Sequence, residues 1–268
     1  MVGRVIKRIY LYLIFLFLYA PIIMLVVYSF NESRSMGRWS GFTLKWYAEL
    51  FKDTEVMRAL YNTLAIAILS AIIATVIGTA AAIGIHEMKR IKKAIVMNLT
   101  YLPVINPDIV TGVSLMLLFV FTKPFTGMGL GFFTMLLAHI TFNIPYVILS
   151  VMPKLKQLDQ HIYEAALDLG ATPFYALRKI IIPQIMPGIV TGLLLAFTLS
   201  IDDFVISFFT TGSGISNIAI YVYSMARRGI NPKINALSTI MFVTVLALLI
   251  VVNTRMSRDN PKAKEGVR

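Results

Sequence analysis

The chain has 268 residues, 57% hydrophobic and 14% charged, with a mean hydropathy of +0.77. That balance excludes a soluble domain, which needs far more polar surface, and the lack of cysteine excludes disulfides, thiolate metal sites and a cysteine nucleophile. The formal net charge of +12 does not point to nucleic acid, because the basic residues lie between apolar runs and not along an amphipathic face.

Arg4, Lys7 and Arg8 precede the apolar run Ile9 to Phe30. The run exceeds a signal-peptide core of about 7–15 residues, and Ala20-Pro21 makes a poor cleavage site, so it reads as an uncleaved anchor. Further apolar runs at 60–85, 94–121, 131–152, 184–210 and 235–254 give about six transmembrane helices in one all-α membrane domain, 9–254. Residues 1–8 and the basic tail 255–268 flank it. The loop 86–93 carries Lys89, Arg90, Lys92 and Lys93, and Lys154, Lys156, Arg178, Lys179 and the tail bases fall on the same side. The positive-inside rule therefore places both termini in the cytosol and segments 31–59, 122–130 and 211–234 outside.

Within the second span, Ala71, Thr75, Gly78 and Ala82 form a small-residue stripe, as do Gly188, Gly192 and Ala196 in the fifth. Such stripes serve close helix contact, either inside one chain or between subunits. The third span is interrupted by Pro103 and Pro107, and a helix that loses amide donors inside a bilayer must bury the break or face a watery cavity. Asn106-Pro107-Asp108 reads as N-cap, N1 and N2 of a restarted helix, where a carboxylate suits the dipole. The fourth span holds His139, read as a satisfied intramembrane hydrogen bond in preference to a proton relay.

Between the fourth and fifth spans, Asp159 to Pro183 reads as a short helix, a Gly170 turn, and a second helix started by Thr172-Pro173 and ended by Pro183. Glu164-Ala165-Ala166, Gly170, Ile180 and Pro183 match the EAA signature of bacterial ABC-importer permeases: EAA, three residues, G, nine residues, I, one residue, LP. Ile182 stands where the pattern has Leu. The likeness extends through Tyr28-Ser29-Phe30-Asn31, Phe42 to Tyr47, Pro107 to Val110, Asp202 to Val205 and Asn235-Ala236-Leu237, which resemble the spermidine/putrescine (PotC-type) branch of that family.

The resemblance implies a MetI-like ABC permease architecture in the bacterial inner membrane. It implies a coupling helix, formed by Glu164, Ala165, Ala166, Asp168, Gly170 and Ala171, that docks into an ATPase subunit. The implied partners are a second permease subunit in a heterodimer, an ATPase dimer and an external polyamine-binding protein. No phosphate loop of the form G-x-x-x-x-G-K-[ST] occurs here, so ATP and Mg belong on the partner ATPase; no cofactor, metal or catalytic site is expected on this chain.

Asp108, Asp202 and Asp203 fall within the spans, where an ionised side chain costs about 2.5–3.5 kcal/mol on insertion scales. The spans hold no embedded Lys or Arg, so the carboxyls are protonated, or a partner subunit or a cationic substrate compensates them. On a continuous helix Asp203 shares a polar stripe with Ser200, Ser207 and Thr210, which ranks it above Asp202 as a pathway residue. A polyamine alternates ammonium groups with methylenes, so carboxylates and aromatic faces suit it. Trp46, Tyr221 and Tyr223 are candidates, with interfacial belt aromatics as the other reading. The competing functions are a permease for another small solute, a proton-coupled secondary transporter, and an intramembrane protease using paired aspartates.

Overall fold

The computed structural model describes residues 2–33, 38–228 and 232–258. Arg34 and the end of the basic tail, 259–268, lie outside the described residues. Helices run almost throughout: α1 (Val2–Ser29), α2 (Lys45–Lys52), α3 (Thr54–His86), α4 (Arg90–Ile105), α5 (Asp108–Thr126) and α6 (Phe132–Gln157). They continue as α7 (Gln160–Asp168), α8 (Pro173–Ala176), α9 (Ile182–Asp202), α10 (Val205–Thr210), α11 (Ile218–Arg228) and α12 (Pro232–Arg258). Among the described residues, five stretches are long and apolar enough to cross a membrane: Lys7–Ser29, Thr54–His86, Asp108–Thr126, Phe132–Gln157 and Pro173–Asp202. Pro232–Ala247 adds a shorter apolar one.

Two expected spans are broken differently from the sequence reading. In the third, α4 runs unbroken through Pro103 and only the second proline stops it. Pro107 forces Asn106 into extended backbone (φ −68°, ψ 142°), because its ring disfavours helix at the preceding residue. Pro107 itself takes the N-cap place, so Asp108, not Pro107, is the first helical residue, and Asn106 is the C-cap of α4 and not the N-cap of α5. The fifth span was expected to be continuous from 184 to 210. Instead α9 ends at Asp202, Asp203 is extended (φ −68°, ψ 122°), and the short α10 follows.

Pro183 does not end the loop's second helix, contrary to expectation. A π-turn over Leu177–Ile181 joins α8 to α9, and the amide of Ile182 donates to the Leu177 carbonyl, five residues back. The wider turn makes room for a proline ring that would clash with a carbonyl in a regular helix.

The chain forms two compact units, Met1–Met57 with Tyr221–Val251, and Arg58–Ile220 with Val252–Arg268. In the first, an antiparallel bridge joins Asn31 to Phe42, and Phe30 stacks on Phe42 with ring centroids 5.4 Å apart. Ser29 Oγ and the Tyr47 hydroxyl share a hydrogen bond of 2.7 Å, and the Trp46 indole N–H donates to the Asn31 carbonyl at 2.7 Å. Two sequence stretches that carried the resemblance thus pack on each other.

In the second unit, α9 lies against α6 and the small residues let their backbones approach. A Cβ on Gly188 would sit 3.0 Å from the Ser150 carbonyl oxygen, and one on Gly192 3.2 Å from Val147 Cα. Gly78 of α3 also meets Val147, where a Cβ would fall 2.8 Å from its side chain. Ala71, Ala82, Val147, Val151, Ile185 and Ala196 form one buried cluster. Both stripes therefore serve packing within this chain, as expected where lipid supplies no hydrophobic drive and close contact must hold helices together.

Candidate translocation and coupling site

The loop after α6 folds as its residues dictate. Asp159 caps α7, its carboxylate accepting from the His161 amide at 3.0 Å. The helix ends at Gly170, whose φ of +84° is a left-handed conformation that favours glycine. Two backbone bonds close the turn, Gly170 N–H to the Leu167 carbonyl at 2.9 Å and Ala171 N–H to the Ala166 carbonyl at 3.0 Å. That pair is the Schellman arrangement, so the spacing of EAA to Gly encodes a helix stop. Thr172 then caps α8, accepting from the Tyr175 amide at 3.3 Å, with Pro173 at its first turn.

Ala166 is buried inside the turn, while Glu164, Ala165, Asp168 and Gly170 face outward. Ala171 is half-buried. Glu164 lies 3.7 Å from the exposed His161 ring. Beside them Leu169 is 89% exposed and Phe174 70% exposed, unusual for large apolar residues at the end of a polar loop. Ala166, Gly170, Ala171, Tyr175 and Ile180 help line a shallow hollow of about 490 Å³ here.

The three carboxylates occupy different surroundings. Asp108 and Asp202 are exposed on the chain. The Asp203 side chain is only 8% exposed: Oδ1 accepts from the Ile206 amide at 3.1 Å, and Oδ2 accepts from the Ser207 amide at 2.7 Å. His139 Nε2 lies 3.4 Å from Oδ2 and 2.9 Å from Ser207 Oγ. Asp203 therefore does not continue the expected polar stripe, because the helix stops one residue earlier. Nor is this carboxylate uncompensated, since His139 and the start of α10 hold it. His139 is the satisfied hydrogen-bonding residue expected. Asp202 and Asp203 face outside and inside respectively, which removes the paired-carboxylate geometry of a protease.

Other stripe residues join two polar clusters inside the bundle. Ser200 Oγ and Ser70 Oγ are 2.9 Å apart, and Asn143 Nδ2 donates to Ser200 Oγ at 2.8 Å. Thr134 donates to the Thr210 carbonyl at 2.8 Å. Gly112 brings α5 against α10: a Cβ there would lie 3.4 Å from Ile206 Cα. The two broken spans thus meet close to their breaks. Sequence reasoning missed Tyr146, which lies within electrostatic reach of Asp108 and packs on Phe142 with centroids 5.2 Å apart. An aromatic in an apolar span carries no local signal for such a role.

Trp46, Tyr221 and Tyr223 belong to the first unit. Trp46 is 3% exposed with its N–H committed to Asn31, so it is a packing anchor and not an open aromatic face. Tyr223 is exposed and lies 5.9 Å from the Arg227 guanidinium. Tyr221 is half-buried; burial, then the Asp53 and Glu55 charges, push its phenol above the ordinary 10.0. Lys233 lies 3.4 Å from Asp53 and 3.9 Å from Glu49.

Comparison with known proteins supplies the frame for these features. The family model for the binding-protein-dependent transport system inner membrane component matches residues 74–258. The chain is 39% identical over 266 residues to the spermidine/putrescine transport system permease protein PotC of Escherichia coli K12, covering 99% of each. It is 43% identical over 235 residues to the putrescine transport system permease protein PotI of the same organism, covering 86% of this chain and 83% of that one. A bacterial alginate ABC transporter, solved with an alginate-bound periplasmic protein, shares the fold at a TM-score of 0.70 and 20% identity, over 97% of this chain and 94% of that one.

Proposed function

We propose that this chain, which belongs to the family of binding-protein-dependent transport system inner membrane components, is a membrane permease subunit that passes polyamines inward in an ATP-driven importer. Polyamine cargo is supported by the whole-length likeness to PotC and the likeness to PotI. The observation that carries the reading is the loop 159–183, a hydrogen-bonded turn that exposes Leu169 and Phe174 beside the EAA residues. Exposed apolar side chains on a fixed turn suit a protein partner. In this reading that partner is one subunit of an ATPase dimer, which holds ATP and Mg and performs the hydrolysis, while this chain has no catalytic role. A second permease completes the pathway, an external polyamine-binding protein delivers cargo, and both termini lie in the cytosol of a bacterial inner-membrane assembly.

The pathway residues are Asp108 and Asp202, exposed carboxylates on spans that break nearby, with Tyr146 within electrostatic reach of Asp108. A carboxylate that remains charged in a membrane is stabilised by an aqueous path or by a cation passing it. Charge-assisted contacts of ammonium groups to such carboxylates are worth about 1.5–3 kcal/mol each, and the methylenes between them suit aromatic faces. Tyr221 and Tyr223 belong to the external face in this account. The test is reconstitution of the complete complex with Glu164→Ala and Gly170→Pro. Loss of polyamine uptake in assembled complexes supports the coupling role, and parental uptake by both variants refutes it.

A further inference from the structure

The break between α9 and α10 interrupts an apolar span, where freed backbone groups need partners inside the protein. No proline or glycine occurs from Ile201 to Ser207, so the backbone alone does not require a break here. The side chains supply what holds it. Asp203 caps the new helix with both carboxylate oxygens, and its own carbonyl accepts from Asn217 Nδ2 at 3.1 Å. The same Asn217 amide donates to Ser207 Oγ at 2.8 Å, and Asn217 Oδ1 accepts from the Ile220 amide at 2.9 Å. His139, from α6, closes the arrangement against Ser207 and Asp203. His139, Ser207 and Asn217 are 1%, 0% and 2% exposed, so these bonds lie inside the protein.

We propose that Asp203, His139, Ser207 and Asn217 form an internal strut whose role is to keep the fifth span broken, and so to keep Asp202 at an exposed helix end. On an unbroken helix, residues 202 and 203 would point about 100° apart, with position 203 continuing the phase of Ser200 and Ser207. The strut ends that phase at Asp202. Both Asp203 oxygens are engaged by amides, which leaves Asp202 as the outward carboxylate of the adjacent pair. These four are positioning residues. The inference rests on the functional reading above only where it assigns Asp202 to the pathway.

The absence of cysteine allows a direct test. Asp202→Cys is introduced and the complete complex is treated, without substrate, with a small methanethiosulfonate carrying an ammonium group. Modification is followed on this subunit. Adding Asn217→Leu or His139→Leu should slow modification about ten-fold, the scale of a coupling near 1.4 kcal/mol between interacting residues. His139→Gln, which keeps a donor near the same place, should restore it. Ser207→Ala removes only a hydroxyl and leaves the Asp203-bound amide intact, so it carries little folding risk. It should slow labelling in the same direction by a smaller factor. A Ser207→Ala complex labelled at the parental rate, or a His139→Gln complex as slow as His139→Leu, overturns the strut. Protection of Asp202→Cys by spermidine is read separately. Strut-dependent labelling without protection leaves the strut standing and refutes the pathway role of Asp202.

Discussion

Gly170 offers a prediction in which sterics and backbone conformation separate. Its φ is +84°, and a Cβ added there would meet nothing within 4 Å. Any defect on substitution therefore comes from the conformation and not from a clash. An L-residue in this region costs about 1–2 kcal/mol, least for Asn and most for a β-branched residue. Proline is worse, because its φ is fixed near −65° and it lacks the N–H that donates to Leu167. Since ~1.4 kcal/mol is a tenfold change in an equilibrium, Gly170→Ala should reduce the population of the closed turn by about ten-fold. The predicted order of coupling is Gly, then Asn, Ala, Val and Pro. The assay is polyamine imported per ATP hydrolysed by the reconstituted complex, normalised to assembled subunits. Equal coupling by Gly170→Asn and Gly170→Val would show that the left-handed turn is not what the ATPase partner reads.

Three further outcomes follow from packing. Ala166→Leu should weaken assembly by about 1–3 kcal/mol of overpacking, which co-purification with the ATPase measures. Gly192→Leu should lower the melting temperature of the purified complex, since even a Cβ there would meet Val147 at 3.2 Å, while Gly84→Ala, with open space around it, should raise stability by about 0.5–1 kcal/mol. Trp46→Phe should cost about 0.5–1.5 kcal/mol through the lost bond to Asn31. It should leave the half-saturating polyamine concentration unchanged, and a shift in that concentration without a stability change would return Trp46 to the substrate path.

Much of this architecture is legible in the sequence because membrane helices announce themselves by length and hydropathy. The turn at Gly170 is legible because its caps, Asp159 and Thr172-Pro173, and its glycine are local signals. The break at Asp203 is different. Its cause lies in partners 64 residues upstream, at His139, and 14 residues downstream, at Asn217, and a stripe drawn on one helix cannot contain them. One signal was present: an aspartate just before a short apolar run is a strong N-cap candidate. Trp46 misled because hydropathy places it outside without showing that the chain turns back to bury it under Asn31. Pro183 misled because a π-turn lets a helix continue past a residue that ordinarily stops one.

The central claim is that two outward carboxylates on broken spans conduct a polycation under ATP control. Its most direct measurement is uptake of radiolabelled spermidine and putrescine by the reconstituted complex, with ATP and loaded binding protein, at matched assembly. The parental complex should accumulate polyamine only with ATP, and Asp108→Asn and Asp202→Asn should each lower uptake by about ten-fold or more, the scale of one charge-assisted contact. Polyamine uptake at the parental rate and affinity by the assembled double variant Asp108→Asn/Asp202→Asn would contradict the account.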